Sequence, residues 1–361
     1  MPSSSALEQI TRRVAAVRRA GGRIALVDGD VPPVKPGMVL VEVHRSLVSP
    51  GSELGGWEAF RDGFRKDASE APFGYSNAGI VLAVGDGVAL PPGTRVAAIG
   101  AGYALHADYA VVPANLCFAL PDNVDFEEGA YAMLLGTAMH AVRRAEVAIG
   151  DFTAVMGLGL LGALTARLLT IAGCRVIGWD TRPERCEIAH RLGVEATVAL
   201  STENAVERTN AFTRREGLDV AVWAMSGNAD ATWEATLDCM KLSADGHRMG
   251  RIVVAGHPEF TFRTRPMTNI DVVQAARTGP GYHDPAWEMG AAYPAGIVRW
   301  TTRRNIELCL DLVSRGVLPV RKLTTHRVPF TDVEEAIPRI LSGEAEVLGV
   351  VFQMRGDSRG C

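Results

Sequence analysis

The chain has 361 residues, of which 47% are hydrophobic and 22% are charged, and its net charge is −4. This length allows two domains with cores of their own, and the small negative charge excludes a strong electrostatic surface for nucleic acid. No apolar run approaches the roughly 18 residues of a membrane span, and the polar N-terminus lacks the apolar segment of a signal peptide. We therefore expect a cytoplasmic protein without a membrane partner.

Residues 22–120 are predicted to form a β-rich module. Short runs such as GMVLVEVHRSLVS and TRVAAIG are separated by pairs of Gly and Pro, a pattern typical of an antiparallel barrel. Residues 126–147 are predicted to be helical. The six cysteines are scattered without a CxxC pair, which argues against a disulfide scaffold and a cysteine-rich zinc knot; Cys361 is expected to be exposed.

Residues 150–260 alternate between strand-like and helix-like segments. The strand-like runs are FTAVM, CRVIGWD, ATVAL, LDVAVWAM and RIVVAG. Alternation of this kind predicts an α/β fold with a parallel sheet that carries helices on both faces.

The turn GLGLLG at residues 157–162 follows the first of these strands and opens a helix. Gly157 allows the tight turn, Gly159 lets the backbone approach a pyrophosphate, and Gly162 lets the helix pack close to the strand. The free N–H groups at the helix N-terminus favour phosphates. The pattern therefore predicts a dinucleotide site.

Asp180 ends the second strand, 23 residues after Gly157. A carboxylate at this position can accept hydrogen bonds from both hydroxyls of the adenosine ribose and repels a 2′-phosphate, which favours NAD(H) over NADP(H). Arg182 and Arg185 follow closely, and a guanidinium there could instead hold that phosphate.

Beyond residue 300 short elements return. A helix, RRNIELCLDLVSRG, precedes the strand-like LTTHRVPF, a second helix with a predicted capping box at Thr331–Glu334, and the strand VLGVVFQ. This return suggests that the C-terminal part rejoins the first module, so that the nucleotide domain is inserted in the middle of the chain.

These segments resemble the medium-chain dehydrogenase/reductase superfamily over essentially the whole chain. The resemblance is carried by GMVLVEV with SPGSEL, by GYSNAGIVLAVGDGV, by GLGLLG and by THRVPFTDVEEAI, and the stretch YPAGIVRWTTRRN looks most like the corresponding part of bi-domain oxidoreductases. It implies a chaperonin-10-like β-rich catalytic domain from residues 1–148 and 296–361, and a Rossmann doubly wound parallel sheet from residues 149–295. It also implies a homodimer or homotetramer.

Many members of this family hold a catalytic zinc. The positions that correspond to its ligands read Pro50, Tyr75 with Ser76, and approximately Met133 here, and none of these side chains is a usual zinc ligand. The segment that would hold a structural zinc has no cysteine. We therefore expect no zinc at either site. His44, His106 and His140 lack the spacing of paired ligands, and each is expected to be a satisfied lone histidine.

Without the metal, a hydrogen-bond donor must stabilise the developing alkoxide. Tyr75 is the first candidate, since a phenol can act as a general acid and a nearby cation would lower its pKa. Ser52 matches the hydroxyl that relays protons in the family, but it could equally cap a turn. Glu53 could orient its neighbours or form a structural ion pair. The alternative for Tyr75 is simple packing.

The segment 277–305 is longer and richer in aromatic and charged groups than the family's usual connection. It is expected to be a lid or pocket wall, in which His283 and Asp284 could supply an acid or base; an oligomer contact or a surface loop is the alternative. Thr137 matches a family position beside the nicotinamide, although it could instead bond to its own helix. The predicted cofactor-binding residues are Gly157, Gly159, Leu160, Leu161, Gly162, Asp180, Arg182, Arg185, Thr137 and Gly256.

The sequence therefore predicts a zinc-independent oxidoreductase that uses NAD(H), with a small molecule as its substrate. The expected reaction interconverts a secondary alcohol, such as a polyol, cyclitol or sugar derivative, and its ketone. Two alternatives stay open. One is an enoyl or quinone reductase that reduces an activated C=C bond, and the other is a catalytically inactive dinucleotide-binding partner protein.

Overall fold

The computed structural model describes residues 11–19, 23–54, 71–263, 265–342 and 346–355. The N-terminal segment before residue 11 and Cys361 lie outside them. The chain divides into two compact units, a β-rich unit (Met1–Met133, Pro280–Gly316 and Leu323–Cys361) and a Rossmann unit (Leu134–Gly279 and Val317–Lys322). The domain boundaries expected from the sequence stay predictions.

The β-rich unit is built on a seven-stranded sheet. Its order is β17-β18-β3-β5-β6-β8, with β7 also paired to β3, and a second sheet has the order β2-β1-β4. The strands are β1 Thr11–Arg19, β2 Arg23–Asp30, β3 Met38–Val48, β4 Ala71–Pro72, β5 Ser76–Val84, β6 Arg95–Ile99, β7 Tyr109–Pro113, β8 Cys117–Ala119, β17 Thr324–Pro329 and β18 Gly349–Gln353. Its helices are α1 Phe126–Gly129, α7 Pro285–Glu288, α8 Thr302–Ser314 and α9 Val333–Ser342.

Strand β3 lies at the centre of this sheet, and nine of its eleven residues are buried. Val39, Val41 and Val43 have no exposed surface, and the strand pairs with β5, β7 and β18. A helical turn, Pro50–Leu54, follows β3 directly. The core of the sheet therefore fixes where this turn begins.

The Rossmann unit contains six parallel strands in the order β11-β10-β9-β12-β14-β16. The strands are β9 Phe152–Met156, β10 Arg175–Asp180, β11 Ala196–Ala199, β12 Val220–Trp223, β14 Arg248–Val254 and β16 Thr268–Gln274, and the short β13 Ser226–Asn228 pairs with β15 His257–Glu259. The helices are α2 Ala132–Ala145, α3 Leu160–Ile171, α4 Pro183–Arg191, α5 Ala205–Phe212 and α6 Asp230–Cys239. The predicted fold class is confirmed.

Two local predictions were wrong. The helical region expected over residues 126–147 is interrupted at Ala130 and Tyr131, between α1 and α2. The capping box at Thr331–Glu334 does not form, because the Glu334 carboxylate accepts a hydrogen bond from the Leu26 backbone N–H at 2.5 Å. The five described cysteines are buried and form no disulfide. Among the described residues, no helix is both long and apolar enough to cross a membrane.

Candidate active site

The glycine turn between β9 and α3 has the geometry that a pyrophosphate needs. Gly157 has a φ of +89°, which L side chains rarely adopt, and a Cβ on Gly162 would overlap the Gly157 carbonyl oxygen. Gly159 is different. The atom nearest to a Cβ added at Gly159 is a guanidinium nitrogen of Arg185, at 3.8 Å. Gly157 and Gly162 are therefore required by the fold, whereas the space at Gly159 is open for a ligand.

Asp180 lies beside this turn at the end of β10. Its carboxylate accepts hydrogen bonds from the backbone N–H of Leu158 at 2.7 Å and of Arg182 at 2.9 Å, and it is 3.7 Å from the Arg185 guanidinium. Only 5% of the residue is exposed. Each carboxylate oxygen has a second lone pair, so the fixed carboxylate can still accept from ribose hydroxyls.

The other predicted cofactor residues lie in the same unit. Leu160 and Leu161 begin helix α3, where Leu160 is buried and Leu161 is half-buried, and Thr137 is half-buried in α2. Gly256 follows β14, and a Cβ there would overlap the Met225 carbonyl oxygen, so close backbone packing already accounts for this glycine. The residues of this unit fit a bound dinucleotide at the turn and at Asp180.

In the β-rich unit, Tyr75 and Ser52 form a hydroxyl pair. The Ser52 Oγ lies 2.6 Å from the Tyr75 Oη, and either atom can be the donor. Burial raises the pKa of the Tyr75 phenol well above its usual range, and the negative charge of Glu53 raises it further; hydrogen bonds with Ser49 and Ser52 act in the opposite direction. Burial and Glu53, and not a cation, are the largest influences on this pKa, and the phenol stays protonated.

Glu53 is held from two sides. One carboxylate oxygen accepts a hydrogen bond from the Ser49 backbone N–H at 2.7 Å, as in a helix cap, and the other lies 3.2 Å from the Nε2 of His106. The Nδ1 of His106 lies 2.5 Å from the Ser46 Oγ. His106 is thus satisfied, as expected, but it is not an isolated histidine. Sequence reasoning missed this pairing, since 53 residues separate the two partners and no spacing pattern links them.

His283 lies on the wall of a cavity of about 430 Å³ in the same unit, and Tyr282 of that wall also acts on the pKa of the Tyr75 phenol. Its imidazole is exposed and packs on the Tyr282 ring at 3.9 Å, while its backbone N–H donates to the buried Glu288 carboxylate at 2.7 Å. Tyr282 accepts a hydrogen bond from the Ala101 backbone N–H, and Tyr103 completes the wall. The cavity therefore combines aromatic rings, hydroxyls and a carboxylate.

Asp284 is held by several hydrogen bonds at the start of α7. Its carboxylate caps α7 by accepting from the N–H groups of Ala286 and Trp287, and it also accepts from the Tyr293 hydroxyl. These hydrogen bonds, led by that from Tyr293, lower the pKa of the Asp284 carboxyl. A carboxyl with a lowered pKa is ionised at neutral pH, so Asp284 can serve as a base more readily than as an acid, and its catalytic role stays a prediction.

The side chains at the family's zinc positions do not fit a zinc ion. The Pro50 side chain has no atom that can bind a metal, and the Tyr75 hydroxyl is hydrogen-bonded to Ser52. The Ser76 hydroxyl donates a hydrogen bond to the Ala130 carbonyl oxygen at 2.6 Å and accepts one from the Met133 backbone N–H at 3.2 Å. Zinc sites use thiolate, imidazole and carboxylate groups. Within the described ranges, no group of three or more such side chains could hold a metal ion.

Known proteins resemble this chain in sequence. The profile of a family described as zinc-binding dehydrogenase matches residues 157–290. L-idonate 5-dehydrogenase of Vitis vinifera is 29% identical over 251 residues, which cover 69% of this chain and 62% of that protein. Sorbitol dehydrogenase of Gallus gallus is 25% identical over 377 residues, which cover 96% of this chain and 97% of that protein.

A solved structure resembles the chain in fold. The alcohol dehydrogenase TADH from Thermus sp. ATN1 has a TM-score of 0.75 at 22% identity, and the match covers 95% of this chain and 100% of that chain. At this identity the likeness concerns the fold alone.

Proposed function

Because this chain belongs to the medium-chain dehydrogenase/reductase superfamily, we propose that it is a zinc-independent oxidoreductase that interconverts a secondary alcohol of the polyol type and its ketone with NAD(H). The observation that carries the proposal is the pair formed by Tyr75 and Ser52, in which a protonated phenol stands where a metal ligand is expected. The Rossmann unit provides the hydride carrier, and the β-rich unit provides the proton donor.

The Rossmann unit would hold the dinucleotide through groups that are already in place. Gly157 and Gly162 shape the turn, the N-terminus of α3 offers free N–H groups to the pyrophosphate, and Asp180 accepts from the adenosine ribose. When bound, the dinucleotide supplies or accepts the hydride. The fixed carboxylate of Asp180 supports NAD(H), while the adjacent Arg185 is the group that could accommodate a 2′-phosphate.

Tyr75 would act as the general acid in carbonyl reduction. An alkoxide is about as basic as hydroxide, whose conjugate acid, water, has a pKa of about 15.7. Even with its raised pKa, the phenol is the stronger acid, so its proton moves to the alkoxide in the favourable direction. Ser52, which is exposed and hydrogen-bonded to the phenol, can then return a proton from solvent.

A polyol substrate is supported by the cavity beside His283. Glu288 can accept hydrogen bonds from hydroxyl groups, and the rings of Tyr103, Tyr282 and His283 offer flat surfaces to the C–H groups of a polyhydroxy chain. Two relatives are named after L-idonate and sorbitol, which are both open-chain polyhydroxy compounds.

The proposal is tested with purified protein, NAD⁺ or NADP⁺ and a panel of polyols, and in reverse with ketoses and enones. We expect NAD⁺-dependent polyol oxidation, and in reverse an alcohol as the product. Reduction of the C=C bond of an enone without carbonyl reduction would identify an enoyl or quinone reductase instead. Tight NADH binding without turnover of any compound would identify a non-catalytic binding protein. Either result contradicts the proposal.

A further inference from the structure

His106 and Glu53 form a buried pair of titratable groups. His106 has no exposed surface, and the rings of Phe73 and Phe352 pack against it at 4.6 Å and 5.0 Å. Its Nε2 lies 3.2 Å from a Glu53 oxygen, and its Nδ1 lies 2.5 Å from the Ser46 Oγ. Both ring nitrogens thus have hydrogen-bond partners inside the protein, where water cannot replace a missing hydrogen bond.

The Ser46 hydroxyl makes a third contact, because it donates to the Ser76 backbone carbonyl oxygen at 3.0 Å. A carbonyl oxygen only accepts, so this bond uses the single proton of Ser46. The contact between Ser46 and His106 then needs a proton on Nδ1, and the contact between His106 and Glu53 needs another. A neutral imidazole beside a carboxylate has one proton for these two contacts.

We infer that His106 and Glu53 together hold one proton more than a neutral imidazole and a carboxylate, with a proton fixed on Nδ1 of His106. Either an imidazolium faces a carboxylate, or an imidazole faces a carboxylic acid, and the net charge of the pair is zero in both cases. With one proton fewer, one of two contacts has no proton. Either the lone pairs of Ser46 Oγ and Ser76 O face each other at 3.0 Å, or the lone pair of Nε2 faces a Glu53 carboxylate oxygen at 3.2 Å.

The extra proton matters because of what faces the pair. Among the described residues, Glu53 is the charged group in hydrogen-bond contact with the His106 ring, and the other contacts are Ser46, Phe73 and Phe352. The negative charge of Glu53 opposes ionisation of the Tyr75 phenol. A pair of zero net charge weakens that opposition. His106 is thus a positioning residue, which orients Glu53 and neutralises its charge.

The proton count is tested on the unmodified protein by long-range ¹H–¹⁵N NMR of ¹⁵N-labelled histidine side chains at neutral pH. The His106 signals are assigned by their loss in His106→Gln. We expect a protonated Nδ1 that stays protonated in Glu53→Gln, where the new amide donates to Nε2. His140, whose pKa is lowered by burial, provides the spectrum of a neutral ring. A His106 ring with an unprotonated Nδ1, or a neutral ring without the infrared band of a protonated Glu53 carboxyl group, would overturn the inference.

The role of the charge is tested by kinetics, and this part rests on the proposed function. His106→Gln leaves Glu53 uncompensated, so we expect kcat for ketose reduction to fall by up to about tenfold, the change that one pKa unit in the acid can produce. The double variant His106→Gln/Glu53→Gln has no negative charge at position 53, so most of the lost kcat should return. A double variant as slow as the single variant would contradict charge compensation. The NMR result stands whether or not the protein reduces ketoses.

Discussion

Replacing Tyr75 by Phe removes one oxygen atom and keeps the ring. The lost contacts are the 2.6 Å hydrogen bond to Ser52, which is exposed and can bind water instead, and the hydrogen bond to the buried Ser49. The free energy of unfolding should therefore fall by about 1–3 kcal/mol. If the phenol donates to the developing alkoxide, kcat for carbonyl reduction should fall by about 10²–10³, or about 2.7–4 kcal/mol of barrier. The affinity for NADH, which we assign to the other unit, should not change.

The assay follows NADH oxidation at saturating ketose, with NADH affinity measured separately by fluorescence titration. Tyr131→Phe is the matched control, because Tyr131 has a similarly raised pKa and a similar bond to a hydroxyl, at 2.8 Å from Thr324. We expect the control to keep its kcat. A Tyr75→Phe variant that keeps kcat within about threefold of the parent protein, or a control that loses as much, would refute the assignment of Tyr75.

Four further variants test the two sites. Gly162→Ala should lower the melting temperature, because its Cβ overlaps the Gly157 carbonyl oxygen. Gly159→Ala should keep the melting temperature of the parent protein but bind NADH at least about tenfold more weakly. Equal NADH affinity in the parent protein and both variants would contradict a pyrophosphate site at Gly159. Asp180→Ala should raise the ratio of kcat/KM for NADP⁺ over NAD⁺ by at least about tenfold, and an unchanged ratio would show that Asp180 does not select the cofactor. Glu288→Gln should raise KM about tenfold for a polyol but not for 2-butanol, and equal effects on both alcohols would exclude hydroxyl recognition by this carboxylate.

The fold could be predicted from the sequence because its signals are local. The glycine turn and Asp180 lie within 24 residues of one strand–helix–strand unit, where turn geometry and apolar periodicity act on neighbouring residues. The capping box at Thr331–Glu334 failed for the opposite reason. The Glu334 carboxylate accepts a hydrogen bond from the Leu26 backbone N–H, which is 308 residues away in the chain. Local sequence propensities do not include partners at such a distance.

The chemistry of the candidate site was less predictable than its residues. Tyr75, Ser52 and Glu53 could be singled out by resemblance, but the pKa of Tyr75 depends on burial and on the charge of Glu53, and neither can be read from spacing. His106 illustrates the same limit. Its partner comes from a helical turn 53 residues earlier in the chain, and the folded backbone brings the two together.

Hydride transfer without zinc can be tested by measuring metal content and activity on the same sample. Purified protein would be treated with a strong chelator, dialysed and analysed by mass spectrometry for zinc, and its rate of NAD⁺-dependent polyol oxidation would be compared with that of an untreated sample. We predict full activity at less than about one zinc per ten chains, a content too low to fill a site of this kind. Activity that falls in proportion to zinc content and returns when zinc is added would contradict the account.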